Sequence, residues 1–238
     1  MARPVQSRCF PKNLVESFKP DPQTLALQNI HKSIALRTPF YHLINIPPIG
    51  GDRPRLSQLC QYWRNGSTFI IKGVKLLFTP ADVAILLGLP NRGMKVDLED
   101  IGDIGDGGDG SVMNRHFSGH NPTIDQIKTQ MRKIRPDDDS AEEYVKLWVM
   151  YIFCVLLFTE SSQRSPISIN LLVDNLDELY KYDWPTAIHK FTIEGIQRFR
   201  AGKNTYLRGC PVLITVSDFF FKSDVVLYYL LLWFHVLV

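Results

Sequence analysis

From Leu147 to Phe158 the chain reads LWVMYIFCVLLF, an unbroken apolar run. Such a stretch has no polar face to turn towards water, so it is either buried on all sides or placed in a bilayer. A helix crossing a bilayer needs about 20 apolar residues, and this run is shorter. The segment before it, SAEEYVK, supplies a helix start. Ser140 stands at the cap position, and Glu142 and Glu143 lie in the first turn, where the helix dipole favours negative charge. The run is therefore expected to be the central buried helix of a globular domain, with Cys154 as a core residue.

The segments around it show helical spacing. LALQNIHKSIALRTPF is expected to be a helix with Leu27, Ile30, Ile34 and Leu36 on one side. RLSQLCQYW repeats the pattern through Leu56, Leu59, Cys60 and Trp63, after the breaker loop INIPPIGGDRP. TIDQIKTQMRKI aligns Ile124, Ile127, Met131 and Ile134. INLLVDNLDELYKY and DWPTAIHKFTIEGIQRFRAG read as two more amphipathic helices. The second has Asp183 as cap, Pro185 in the first turn, Gly202 at its end, and Ile188, Phe191, Ile196 and Phe199 inward. TFIIKGVKLLF contains two β-prone runs joined by Lys72-Gly73, a hairpin signature. No alternation of strand and helix supports a parallel sheet. The expected fold is mainly α, a helical bundle-like domain with one small β-hairpin and a long acidic, glycine-rich loop.

The loop is placed at 97–120. It carries KVDLEDIGDIGDGGDGS, without apolar periodicity, and reads as a mobile linker. Asp103, Asp106 and Asp109 recur every third residue, whereas a calcium loop of the EF-hand type needs oxygens at every second residue and a closing glutamate. Residues 1–24, with four prolines, read as a flexible arm before a domain at 25–216.

Several chemistries lack their signature. Cys9, Cys60, Cys154 and Cys210 form no CxxC couple, and the six histidines supply no HExxH, so no metal site or cofactor is expected. There is no GxSxG elbow. Cys210 follows a glycine, as in some thiol proteases, without the surrounding signature. Asp174, Asp177 and Glu178 share one helical face by spacing, which reads as solvated surface. No apolar leader opens the chain, and unpaired cysteines read as reduced thiols of an intracellular protein. The net charge of +3, from 27 basic and 24 acidic residues, is too balanced for a dedicated nucleic-acid binder. Arg132, Lys133 and Arg135 form the one notable basic cluster, a candidate phosphate or nuclear-import patch.

LFTPADVAILLGLP is fully punctuated as a helix. Thr79 caps, Pro80 opens, Asp82 answers the cap from three residues on, Gly88 takes the left-handed closing position, and Pro90 prevents continuation. The opening half looks like the first helix of a bacterial helix-turn-helix. The acidic run that follows would repel phosphate, so a reading helix is not expected there.

LCQYWRNGSTFIIKGVKLLFTPADVAILLGLPNRG resembles the plant mobile domain, also called the aminotransferase-like plant mobile domain or maintenance-of-meristems-like family. The matching residues are Trp63, Arg64, Thr68, Phe69, Thr79, Asp82, Val83, Ala84, Gly88, Leu89 and Pro90, with Tyr182 and Trp184 downstream. The resemblance spans about Leu25 to Val216. It implies a nuclear, transposon-associated protein acting in transposon silencing, gene expression and meristem maintenance, with a phosphatase-like protein partner. "Aminotransferase" carries no mechanistic weight, because a pyridoxal-phosphate enzyme needs a Schiff-base lysine in a large α/β fold. The expected function is a non-catalytic protein-interaction module; the alternative is a DNA- or chromatin-binding domain of a transposable element. No small-molecule substrate or membrane partner is expected.

Residues 217–238 depart from the family pattern and end in an apolar tail shorter than a membrane span. Translated intron sequence is the preferred reading, since Val216-Ser217 is what GTAAGT would encode. A buried terminal helix and a tail anchor are the alternatives.

Overall fold

The fold is organised around the apolar run: every residue from Leu147 to Phe158 is at most 1% exposed. The structure, a computed structural model, describes residues 6–7, 9, 27–46, 53–98, 110–134, 140–203 and 205–215. Among them the chain is mostly helical. In order it forms β1 (Gln6–Ser7), α1 (Asn29–Ala35), a 3-10 turn (Tyr41–Asn45), α2 (Arg53–Tyr62), β2 (Thr68–Ile71), β3 (Val74–Leu77), α3 (Pro80–Leu87) and α4 (Val112–Phe117). Then come α5 (Ile124–Lys133), α6 (Ala141–Ile152), α7 (Ile167–Asn170), two 3-10 segments (Leu171–Asp174 and Leu176–Lys181), α8 (Trp184–Arg200) and β4 (Tyr206–Leu207).

Helix α6 is the hub. Helices α1, α4 and α5 pack on it, and it continues into a π-helical turn, Phe153–Leu157, closed by Phe158 N–H donating to the Phe153 carbonyl at 2.8 Å. Widening the helix here aims Phe153 and Phe158 at Trp184, with ring centroids 5.2 and 6.4 Å away, so that the hub meets α8 through aromatic edges. Each large side chain buried in this way contributes about 1.5–3 kcal/mol. Ser140 occupies the cap position of α6, but its side chain does not cap. Glu143 is instead held by Arg115 at 2.7 Å and by His116 at 2.7 Å, tying α4 to α6.

The hairpin forms as expected. β2 and β3 pair antiparallel, Ile71 opposite Val74, and the turn residues Lys72 and Gly73 take left-handed φ of 51° and 82°. A second, two-stranded parallel pair joins β1 to β4, Gln6 opposite Tyr206 and Ser7 opposite Leu207.

Four expectations change. In α1 the buried side chains are His31 and Ala35, while Leu36 is exposed. His31 takes the inward place because its ring stacks on Tyr144 at 4.2 Å while Nδ1 accepts the Gln28 N–H. Part of the expected loop at 97–120 is helical, since Ser111 caps α4 and Val112, Met113 and Phe117 are buried; residues 99–109, with Asp103, Asp106 and Asp109, lie outside the described residues. INLLVDNLDELYKY is not one helix but three short segments, so Asp174, Asp177 and Glu178 do not share a helical face. Asp174 accepts the Val112 N–H at 2.8 Å, Asp177 pairs with Arg37, and Glu178 with Lys181 at 2.8 Å. Of the expected N-terminal arm, only residues 6, 7 and 9 are described, and these are docked, with Ser7 and Cys9 buried. The tail at 217–238 lies outside the described residues.

Candidate functional site

The residues that carry the sequence motif assemble into one corner. Thr79 and Asp82 form a reciprocal cap: the Thr79 N–H donates to Asp82 Oδ2 at 2.7 Å, and the Asp82 N–H to Thr79 Oγ1 at 3.3 Å. At the other end Gly88 adopts φ 64°, and Leu89 N–H closes on the Ala84 carbonyl at 3.0 Å. His42 Nε2 donates to the Leu87 carbonyl, an acceptor that the end of the helix leaves free. A Cβ on Gly88 would stand 3.0 Å from that imidazole nitrogen, so the residue serves both the turn and the approach of His42.

The chain then runs to Met94, whose N–H donates to the Lys181 carbonyl at 2.7 Å, while Asp183 N–H donates to the Met94 carbonyl at 2.8 Å. Asp183 caps α8 by accepting the Thr186 N–H at 3.1 Å. Trp184, next in sequence, is fully buried against Phe40, Phe153, Phe158 and Tyr182, and its indole donates to the Leu179 carbonyl at 2.7 Å. The two halves of the motif are thus hydrogen-bonded neighbours, and α3 lies against α8. Trp63 lies half-buried beside the hairpin, donating to the Gly66 carbonyl at 2.8 Å; Pro90 is half-buried. Arg132 and Lys133 are exposed at the end of α5, and Arg135 lies outside the described residues.

A serine and a histidine meet in this corner. Ser67 Oγ is 3.0 Å from His189 Nε2, but the same nitrogen is 2.8 Å from the Phe78 carbonyl. A carbonyl only accepts, so Nε2 carries the proton and cannot take one from the serine. Burial lowers the pKa of His189 and keeps the ring neutral. Thiols are no better placed. Burial pushes Cys60 up to about 12 and Cys154 up to about 11, and raises Cys210 as well, so the thiolate nucleophile is disfavoured. No group of three metal-ligating side chains occurs among the described residues. A depression on the outer face of α2 is lined by Pro54, Arg55, Ser57, Gln58 and Gln61, with neither carboxylate nor thiol.

What the corner does present is surface. Val74 and Leu77 on β3 are 59% and 55% exposed, and Ile85, on the outer side of α3, is 65% exposed. On the same stretch of chain Arg64, Lys72, Lys75 and Arg92 are exposed cations. Residues 7–215 of the chain match the family described as "Domain of unknown function (DUF8566)". The chain belongs to this family. The DUF8566 region holds every described motif residue, so the corner is part of the family's own fold. "Protein MAIN-LIKE 2" of Arabidopsis thaliana is 23% identical over 198 residues, covering 77% of this chain and 29% of that protein. The chain therefore spans under a third of the length of that relative. The likeness supports the MAIN-like, plant mobile domain relationship to which the motif points. No solved structure matches the chain. Among the described residues no helix is long and apolar enough to cross a membrane.

Sequence reasoning located Thr79, Asp82, Gly88 and Trp184. It did not single out His42, His189 or Gly93, which hold the corner together from outside the motif helix. Only Gly93, within the quoted motif, carried a local signal.

Proposed function

We propose that this DUF8566 chain is a non-catalytic protein-interaction module of a nuclear, transposon-associated plant protein. The observation that supports this reading is the exposure of Val74, Leu77 and Ile85 on a corner whose other motif side chains are spent on holding the fold. Val74 and Leu77 point to opposite sides of the hairpin, and with Ile85 on the firmly capped helix they offer separate apolar contact points for a partner that grips the corner. By resemblance the partner is a phosphatase-like protein, and the process is transposon silencing, gene expression and meristem maintenance. The nuclear location rests on the MAIN-like relationship. Affinity purification of the tagged chain from plant nuclei, followed by mass spectrometry, tests the proposal. Recovery of a phosphatase-like protein with the wild-type chain, and its loss on Leu77→Lys, is the expected result.

The second reading is a DNA- or chromatin-binding domain. It is favoured by the exposed cations Arg64, Lys72, Lys75 and Arg92 on the same stretch of chain. A DNA-binding assay across a salt series separates the two. Affinity that falls steeply with salt, and falls again on Lys72→Glu with Lys75→Glu, would replace the protein-docking reading.

A further inference from the structure

The parallel pair β1–β4 brings together two cysteines separated by 201 positions. Cys9 Sγ and Cys210 Sγ lie 4.0 Å apart, and both residues are buried, at 4% and 0% exposure. Each is held from a different side. The Cys9 thiol donates to the Leu156 carbonyl at 3.5 Å, and that carbonyl belongs to the π-helical turn. Cys210 N–H donates to Thr192 Oγ1 on α8 at 3.0 Å. The neighbouring Gly209 is fixed as well: its N–H donates to the Thr159 carbonyl at 2.8 Å, and a Cβ there would be 2.6 Å from Thr192 Cα. The segment bearing Cys210 therefore has little freedom, and the stretch bearing Cys9, two residues past the end of the two-residue strand β1, is the partner that can adjust.

We propose that Cys9 and Cys210 are a reversible redox pair, oxidised by a peroxide to a disulfide that locks the N-terminal strand onto the C-terminal strand. A disulfide needs sulfurs about 2.05 Å apart and Cβ atoms about 3.8 Å apart. The sulfurs, 4.0 Å apart, stand about 2 Å beyond that bond length, so the Cys9 side has to shift inwards for the bond to form. The reaction is balanced by two thiols and one hydrogen peroxide. One sulfur attacks the peroxide oxygen, forming a sulfenic acid and releasing water. The second sulfur displaces the hydroxyl as another water, and the S–S bond forms. Both thiols are shut away in the closed fold, so the first step needs the two-residue strand to open. A pair so short opens at little cost. Once formed, the bond is sheltered by the same burial, and a dithiol reductant must wait for the same opening.

The test uses the full chain carrying Cys60→Ala and Cys154→Ala, so that Cys9 and Cys210 are the remaining thiols. It is treated with hydrogen peroxide and mapped without reduction by mass spectrometry. The expected result is a monomeric product whose peptides containing Cys9 and Cys210 are linked, with a thermal midpoint several degrees above that of the reduced protein. Dithiothreitol should reverse both, and Cys9→Ser in the same background should abolish both. Circular dichroism of the reduced variant checks that it folds; should it not, the wild-type chain is mapped in the same way. Over-oxidised separate cysteines, links between molecules, or a Cys9–Cys210 link that leaves the midpoint unmoved would overturn the proposal.

Discussion

The Met94 amide donates to the Lys181 carbonyl at 2.7 Å, and this one bond ties the end of the motif corner to the start of α8, 87 residues on. It is possible because Gly93, at φ 134°, lets the backbone pass flat against the other strand. A Cβ there would lie 2.5 Å from the Lys181 oxygen and 2.9 Å from the Asp183 nitrogen. Gly93→Ala is expected to cost about 2–4 kcal/mol, combining steric overlap with an unfavourable φ. Gly66→Ala, also at positive φ but with open space around it, should cost about 1 kcal/mol. Urea denaturation of the two variants checks the difference; equal losses would mean that the close approach contributes nothing.

The cap of α3 gives a second expectation. Thr79→Ala and Asp82→Ala should each lower stability by about 1 kcal/mol. The double variant should lose less than the sum, because either single change already breaks the reciprocal pair. Additive losses in a double-mutant cycle would show that the two residues act separately.

Three histidines set the response to acid. His31, His42 and His189 each have a pKa held below the ordinary 6.5, in every case chiefly by burial. The unfolded chain therefore binds protons more readily than the folded one in the window below 6.5. Their contribution is complete above that pH and is lost as pH falls through it towards the folded values. Thermal midpoints should decline from pH 7 to pH 5, each unit of depression being worth about 1.4 kcal/mol. His189→Gln can still donate to the Phe78 carbonyl but cannot charge, so it should flatten part of that decline. A profile of unchanged slope would remove His189 from the account.

Surface changes separate docking from folding. Leu77→Lys and Ile85→Lys alter side chains that are more than half exposed, and should leave stability within about 0.5 kcal/mol. Recovery of the protein partner from nuclear extract should fall several-fold in each. Loss of stability together with recovery would instead make these residues part of the fold.

What the chain reveals unaided depends on how local the cause is. The capping of α3 and α8 and the hairpin turn at Lys72-Gly73 are decided within a few residues, and the sequence shows them. Helix α4 is only six residues long, and its start is completed by Asp174, a residue from elsewhere in the chain. The segment after Ile167 breaks up for a similar reason. Asn170 is fully buried, its side chain donating to Asn121 Oδ1 at 3.1 Å and accepting from Ser165 Oγ at 2.9 Å, and Asn175 turns extended at φ −120°. One of those polar partners, Asn121, lies 49 positions away, and apolar spacing carries no trace of either bond. His31 is the same lesson in one side chain: its ring finds Tyr144 and takes the fully buried place, while of the expected stripe Leu27 is buried, Ile34 packs only partly on the core and Leu36 is exposed.

The corner was legible as a motif but not as a joint. Its outer partners, His42 and His189, stand 45 and 111 positions from the carbonyls that they bind. Nothing in the order of residues announces such a meeting.

The adjacency of β1 and β4 has a kinetic result. Strands so far apart in chain order can pair only once the segments between them have collapsed, so this seam is expected to close late, as a clasp on a body already assembled.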